Sequence, residues 1–160
     1  INLIVVDRHA SSAEDAAGRF AGAAEEAGYP NRWGHSSGYY GYVDGKLYGQ
    51  ISHRTYHAFS NRPFFLDNNH GRVFGPVTLE GCYLIIGSFS RERFAPFSSV
   101  RHQYLSFMEA RDDFTGRIEG TGRYRLSSYA EMDNAIVSDP CITTGDHDGR
   151  AALLVSVDSL

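Results

Sequence analysis

The chain has 160 residues and a mass of 17.7 kDa, which suits one compact domain over 1–160 that buries roughly two-thirds of the surface its unfolded form exposes. With 42% apolar and 21% charged residues, disorder is excluded for most of its length, and apolar runs such as Leu3-Ile4-Val5-Val6 are far shorter than the roughly 20 residues a membrane-spanning helix needs. Fifteen basic against 19 acidic residues, a net charge of −4, leave no cationic field to hold duplex DNA, although a few basic groups in one cleft can still grip a nucleotide.

Residues 3–6 read as a buried strand. Ser11 with Glu14 three residues later forms a capping box, and Ala13, Ala16, Ala17, Phe20, Ala21 and Ala24 recur at helical spacing until Gly28 and Pro30. The spacing predicts a helix over 12–27 with a flat, Ala-rich face suited to a sheet. Residues 39–43 and 46–51 read as a hairpin around Asp44-Gly45, a pair that accepts the positive φ of a tight turn. Further strands are expected at 54–59, 72–79, 82–89, 100–108, 123–126 and 151–157, and a second short helix at 127–136. One early helix followed by many short strands indicates an α+β domain, the N-terminal helix packed on a twisted, mainly antiparallel sheet.

No glycine-rich phosphate loop follows a strand, so no nucleotide cofactor is expected. His53 and His57 stand four apart, but in extended structure that separates them by about 13 Å and disfavours a shared metal. Two cysteines, Cys82 and Cys141, are too few for a disulfide scaffold, though they suffice for one bridge in an exported protein. The start at Ile1, without a leader, reads as a processed or excised domain of a secreted protein.

Glu109, Arg117, Arg123 and His147 follow one another in the C-terminal third, the last in Thr143-Thr144-Gly145-Asp146-His147 ahead of the final strand. Metal-free RNA cleavage needs these parts. A carboxylate takes the 2′-hydroxyl proton, arginines neutralise the phosphorane, and an imidazolium protonates the leaving 5′-oxygen. The pattern resembles the microbial ribonuclease family of barnase-like and guanyl-specific enzymes. Met108-Glu109-Ala110 is similar to the strand bearing the family's general base, Arg123-Tyr124-Arg125-Leu126-Ser127-Ser128 to the one bearing its phosphate-binding arginine, and Thr144-Gly145-Asp146-His147 to the loop bearing its acid. Phe59-Ser60-Asn61-Arg62 resembles its guanine-binding loop, with Gly71-Arg72 following at a familiar distance, which implies that Phe59, Asn61 and Arg62 are substrate-binding. The chain departs from the family by a longer spacing between Arg123 and His147 and an insertion from Arg72 to Glu109. The resemblance implies an RNA or nucleotide substrate, no cofactor, and a toxic domain with a protein inhibitor or immunity partner. The plainer reading of the same residues is surface charge on strand ends.

Two alternatives stand beside this one. Cys82 before a strand and His102 on a neighbouring one resemble the Gly-Cys and His arrangement of glutamine deamidase toxins, where imidazole takes the thiol proton; equally, Cys82 suits an inert core position. The Tyr- and Gly-rich stretch 29–48, with Trp33 and His35, suits a non-enzymatic binding domain, since rings bury area at low entropic cost.

Overall fold

The computed structural model describes residues 1–51, 56–97, 102–133 and 146–157, the His102 side chain excepted. His53, Cys141, Thr143-Thr144-Gly145 and the 134–136 end of the expected second helix lie outside the described residues. In chain order the elements are β1 (Leu3–Asp7), α1 (Ala13–Glu26), β2 (Asn31–Trp33), β3 (Gly41–Val43), β4 (Lys46–Tyr48), β5 (His57–Ser60), β6 (Asn68–Leu79), β7 (Cys82–Phe94), β8 (His102–Ser106), α2 (Met108–Gly120), β9 (Tyr124–Glu131) and β10 (Arg150–Ser156).

Eight strands form one sheet in the order β2-β5-β6-β7-β1-β10-β9, with β8 paired to the C-terminal part of β7. Among the described residues, β1 pairs with β10 in parallel and the other pairs of this sheet are antiparallel. The fold is therefore α+β with the N-terminal helix on the sheet, as the sequence implies. Asp44 (φ 47°) and Gly45 (φ 77°) turn the separate β3–β4 hairpin, as their positive-φ tolerance requires.

Both helices cover one face of the sheet. Strand pleating puts alternate side chains there: Leu3 and Val5 of β1, Phe59 of β5, Val73 of β6, Ile85 and Phe89 of β7, Leu154 of β10. Against them lie Phe20, Ala23 and Ala24 of α1 and Ala110, Phe114 and Ile118 of α2, with Phe89 stacked on Phe114 at 4.2 Å. Gly71 sits opposite Phe89, whose ring would come within 2.5 Å of a Cβ there, so only glycine lets this aromatic layer close.

Three sequence expectations are corrected. The α1 N-cap is Ser12, not Ser11: Ser12 Oγ accepts the Asp15 N–H, and Asp15 Oδ2 accepts the Ser11 N–H and hydroxyl, a box set one residue later. Residues 127–131 continue β9 rather than starting a helix, because they pair with β10 across a bulge beside Leu153. The stretch from Met108, expected to end a strand, is the first turn of α2. Its helical stripe, Ala110, Phe114 and Ile118, is narrow and shares the buried face with the polar Arg111 and Thr115, so it lacks the broad apolar face that marks α1.

α1 is fixed to the sheet through Asp7 at the end of β1. Its fully buried carboxylate accepts from the His9 and Ala10 N–H groups, from Arg19 Nε at 2.9 Å and from the Tyr124 hydroxyl at 2.9 Å. Burial alone would raise this carboxyl, but Arg19, the His9 N–H and Tyr124 outweigh it and hold its pKa below the usual carboxylate range. Asp7→Ala should cost about 3–5 kcal/mol, read from urea unfolding, because it strands the Arg19 charge and the buried phenol. A depressed acid contributes stability that is present above its unfolded pKa and lost as pH falls through the folded one. Asp7→Asn should therefore flatten the acid limb of the stability curve below about pH 4.

Candidate functional site

The face of the sheet turned away from the helices is polar where β5, β6, β7 and β8 meet. Across the ladder Asn68 pairs with Glu92, His70 with Ser90 and Arg72 with Ser88, while Ser60 stands beside His70 and Tyr104 beside Glu92. Alternation thus gathers these side chains on one face. Most are buried: Ser60 0%, Asn68 3%, His70 1% and Glu92 7% exposed. His35, from the segment after β2, lies against His70 with ring centroids 4.5 Å apart.

The hydrogen bonds set the ring's tautomer. Asn68 Nδ2 donates to the Leu66 carbonyl at 2.8 Å, which turns Asn68 Oδ1 toward His70 Nδ1 at 3.0 Å. An acceptor there places a proton on Nδ1, so the other nitrogen, Nε2, faces Glu92 Oε1 at 3.4 Å with its lone pair when the ring is neutral. Burial pushes the Glu92 carboxyl up to about 7, against the opposing pull of Arg72 and the Ser90 hydroxyl. A carboxyl about half ionised at neutral pH and in contact with an imidazole is an arrangement that holds or moves a proton.

Arg72, two residues along β6 on the same face, donates to Ser36 Oγ at 2.7 Å and lies over the Tyr39 ring at 4.4 Å. Its guanidinium therefore stands in a fixed place near Glu92. His35 also lines an aromatic cleft of 460 Å³ formed with Trp33, Tyr56 and Phe64. Gly34 (φ 107°) makes that cleft, since a Cβ would lie 2.0 Å from the Phe64 ring. A second, polar cleft of 390 Å³ opens on the helix side at the start of β6, between Asn61 and Arg62 on one wall and Asp113 and Arg117 of α2 on the other.

Of the residues expected from sequence, Asn61, Arg62 and Arg117 come together in the polar cleft. Glu109 reaches its border through Arg91, whose Nη1 lies 2.6 Å from the Glu109 carboxylate. Glu109 is on an exposed first turn of α2, not on a strand, because the helix begins at Met108 and Ser106 Oγ accepts the Glu109 N–H. Arg123 lies past the far end of α2, bonded to Glu26 at 2.9 Å. His147 packs beside Phe107 at the helix's first end, its Nδ1 accepting the Gly149 N–H and its pKa lowered by burial. A 13-residue helix spans about 20 Å, so Glu109 and His147 lie toward one end of α2 and Arg117 and Arg123 toward the other. The four do not share a cleft. Phe59 packs edge-on against Phe20 in the core and presents no ring to a ligand.

The Cys82 and His102 pairing is also corrected. Cys82 begins β7 beside the Glu80-Gly81 turn, whereas the register sets His102 opposite Phe94 at the other end of that strand. Twelve residues of extended chain, about 40 Å, separate the two positions.

Sequence reasoning missed His70, Glu92 and the part His35 plays, and it noted Arg72 only as following the guanine-binding-loop resemblance. The available signal was the alternation Ser88-Phe89-Ser90-Arg91-Glu92, which continues β7 five residues past the expected end with polar groups on the face that bears Glu92. Comparison with protein-family models, characterised proteins and solved structures finds no match to this chain.

The raised Glu92 carboxyl has a measurable consequence. A raised acid keeps its proton when folded while the unfolded chain loses it, so stability should fall as pH rises from about 4.5 to about 7 and level off above. Melting temperatures across this window should show that decline in the wild type and a smaller one in Glu92→Gln.

Proposed function

We propose that this domain cleaves RNA without a metal, using the polar face of β6 and β7 in place of the Glu109, Arg123 and His147 set. The observation that carries the reading is the buried Glu92 carboxyl, with a pKa of about 7, touching His70 on the same strand face as Arg72.

In this reading Glu92, its proton exchangeable with His70 Nε2, takes the 2′-hydroxyl proton, and the oxygen attacks the adjacent phosphorus. Arg72 neutralises the charge that develops on the phosphoryl oxygens. His35 gives a proton to the departing 5′-oxygen, which leaves a 2′,3′-cyclic phosphate. Glu92 meets the edge of the His70 ring and His35 meets its face, so the base and the acid stand on two sides of His70, and Arg72 on the same strand face is the group assigned to the phosphate. The aromatic cleft that His35 lines suits a base, since rings such as Trp33 and Tyr56 offer stacking surfaces of about 1–3 kcal/mol each. Notably, this keeps the carboxylate, arginine and imidazole chemistry of the family resemblance but assigns it to other residues.

A second reading, a non-enzymatic binding domain, draws on the outward face of the β3–β4 hairpin. There Tyr42 and Leu47 pair across the strands and are 69% and 68% exposed.

Labelled RNA incubated with the protein in EDTA separates the two. Cleavage yielding a 2′,3′-cyclic end is expected. Its rate should rise with pH through about 7 as Glu92 ionises, and Glu92→Gln or Arg72→Ala should reduce it by roughly 10²- to 10⁴-fold with the melting transition retained. RNA left intact by the wild type would remove the nuclease and leave the aromatic hairpin as the functional surface.

A further inference from the structure

The polar cleft beside α2 lies on the opposite face of the sheet from Glu92 and is lined by three arginines, Arg62, Arg91 and Arg117. Their charge is only partly used. Arg117 Nε bonds Asp113 at 3.0 Å and Arg91 Nη1 bonds Glu109 at 2.6 Å. Asp67, the other acid lining the cleft, meets Arg93 at 3.3 Å. Every acid at the site is thus matched by an arginine, and Arg62 makes no ion pair among the described residues, so the cleft carries an excess positive charge. Since a guanidinium has five N–H donors, Arg91 and Arg117 keep most of theirs after one ion pair each.

The neutral groups are oriented in the same sense. Asn61 Oδ1 accepts the Asn69 N–H at 2.9 Å, so its oxygen is occupied and its amide N–H donors are left for a ligand. On the floor, Asp113 is burdened with three donors, the Tyr29 hydroxyl, Arg117 and Asn69 Nδ2 at 3.2 Å. Burial would raise its carboxyl, but these donors outweigh that and keep it ionised and engaged. It is therefore a brace for Arg117 and Asn69 rather than a ligand-binding carboxylate.

We infer that this cleft binds a phosphate group, held by the Arg62, Arg91 and Arg117 guanidiniums and the Asn61 amide. The tetrahedral group is favoured over a carboxylate because its three or four oxygens can meet three arginine forks at once, where a carboxylate offers two. The 390 Å³ volume leaves room for an esterified phosphate as well as the free ion. The site does not rest on the cleavage reading: its proposed ligands Asn61, Arg62, Arg91 and Arg117 are distinct from Glu92, His70 and Arg72, although Asn68, whose Oδ1 meets His70, also borders the cleft, and it stands whether or not RNA is cut.

The test is titration of the wild-type protein with inorganic phosphate, followed by amide NMR shifts at Asn61 and Asn69, with acetate as the comparison anion. Saturable shifts with phosphate, weaker with acetate, are expected. Arg62→Ala should weaken binding by roughly tenfold or more without moving the melting temperature, since that side chain is exposed and makes no ion pair among the described residues. Arg72→Ala should leave the titration unchanged, which separates this site from the other face of the sheet. Three outcomes would each overturn the assignment: no saturable shift, equal binding of acetate and phosphate, or a titration abolished by Arg72→Ala but not by Arg62→Ala.

Discussion

The pleat of the β6–β7 hairpin is the constraint on which the other features rest. Two long strands in unbroken antiparallel register from Asn68 to Phe74 oblige neighbours in sequence to point to opposite faces. Gly71, Val73 and Phe89 go under the helices, and His70, Arg72, Ser90 and Glu92 go to the other side. A slip of one residue would put a glutamate and a histidine into the aromatic core, which is why the register is strongly specified. The bulge between Phe74 and Val77 falls beyond this stretch, so the polar set stays in step.

Burying that set is costly, and the structure shows how the cost is contained. Asn68 satisfies His70, Leu66 satisfies Asn68, and Ser60 Oγ donates to the Arg62 carbonyl, so the polar layer is a connected network rather than isolated groups. Glu92 is the exception in character: it has the ladder partners of a structural residue but a carboxyl held near neutrality by burial. Such a group weakens the fold at the pH where it is half ionised. A domain gains nothing structural from it, which is the physical reason for looking there for chemistry.

The helix side is organised around carboxylates of a different kind. Asp7 and Asp113 each collect a phenol and an arginine, Tyr124 with Arg19 and Tyr29 with Arg117. Both hold their pKa below the usual range, because donors outnumber what burial takes away. Asp7 clamps the middle of α1, through Arg19, to β1 and β9. Asp113 clamps α2 to the segment after α1 and to β6 through Asn69, which fixes the wall of the polar cleft against the strand that carries His70 on its other face.

The sequence by itself determined what depends on neighbours a few residues away. Alanine spacing and a serine cap specify α1, Asp44-Gly45 specifies its hairpin, and the alternating runs specify most strands, so the α+β class was legible. α2 was not, since its stripe of Ala110, Phe114 and Ile118 is narrow and becomes apolar enough only when Phe20 and Phe89 pack on it. The candidate site was legible only in its chemistry. Carboxylate, arginine and imidazole were the groups to seek, yet spacing along the chain pointed to Glu109, Arg123 and His147, which α2 and the turn after it hold apart. Which glutamate meets which histidine was decided by pairing across strands: His70 and Glu92 stand 22 positions apart in the chain but 3.4 Å apart in space. Only the ladder register sets that distance, and register is a property of the folded sheet.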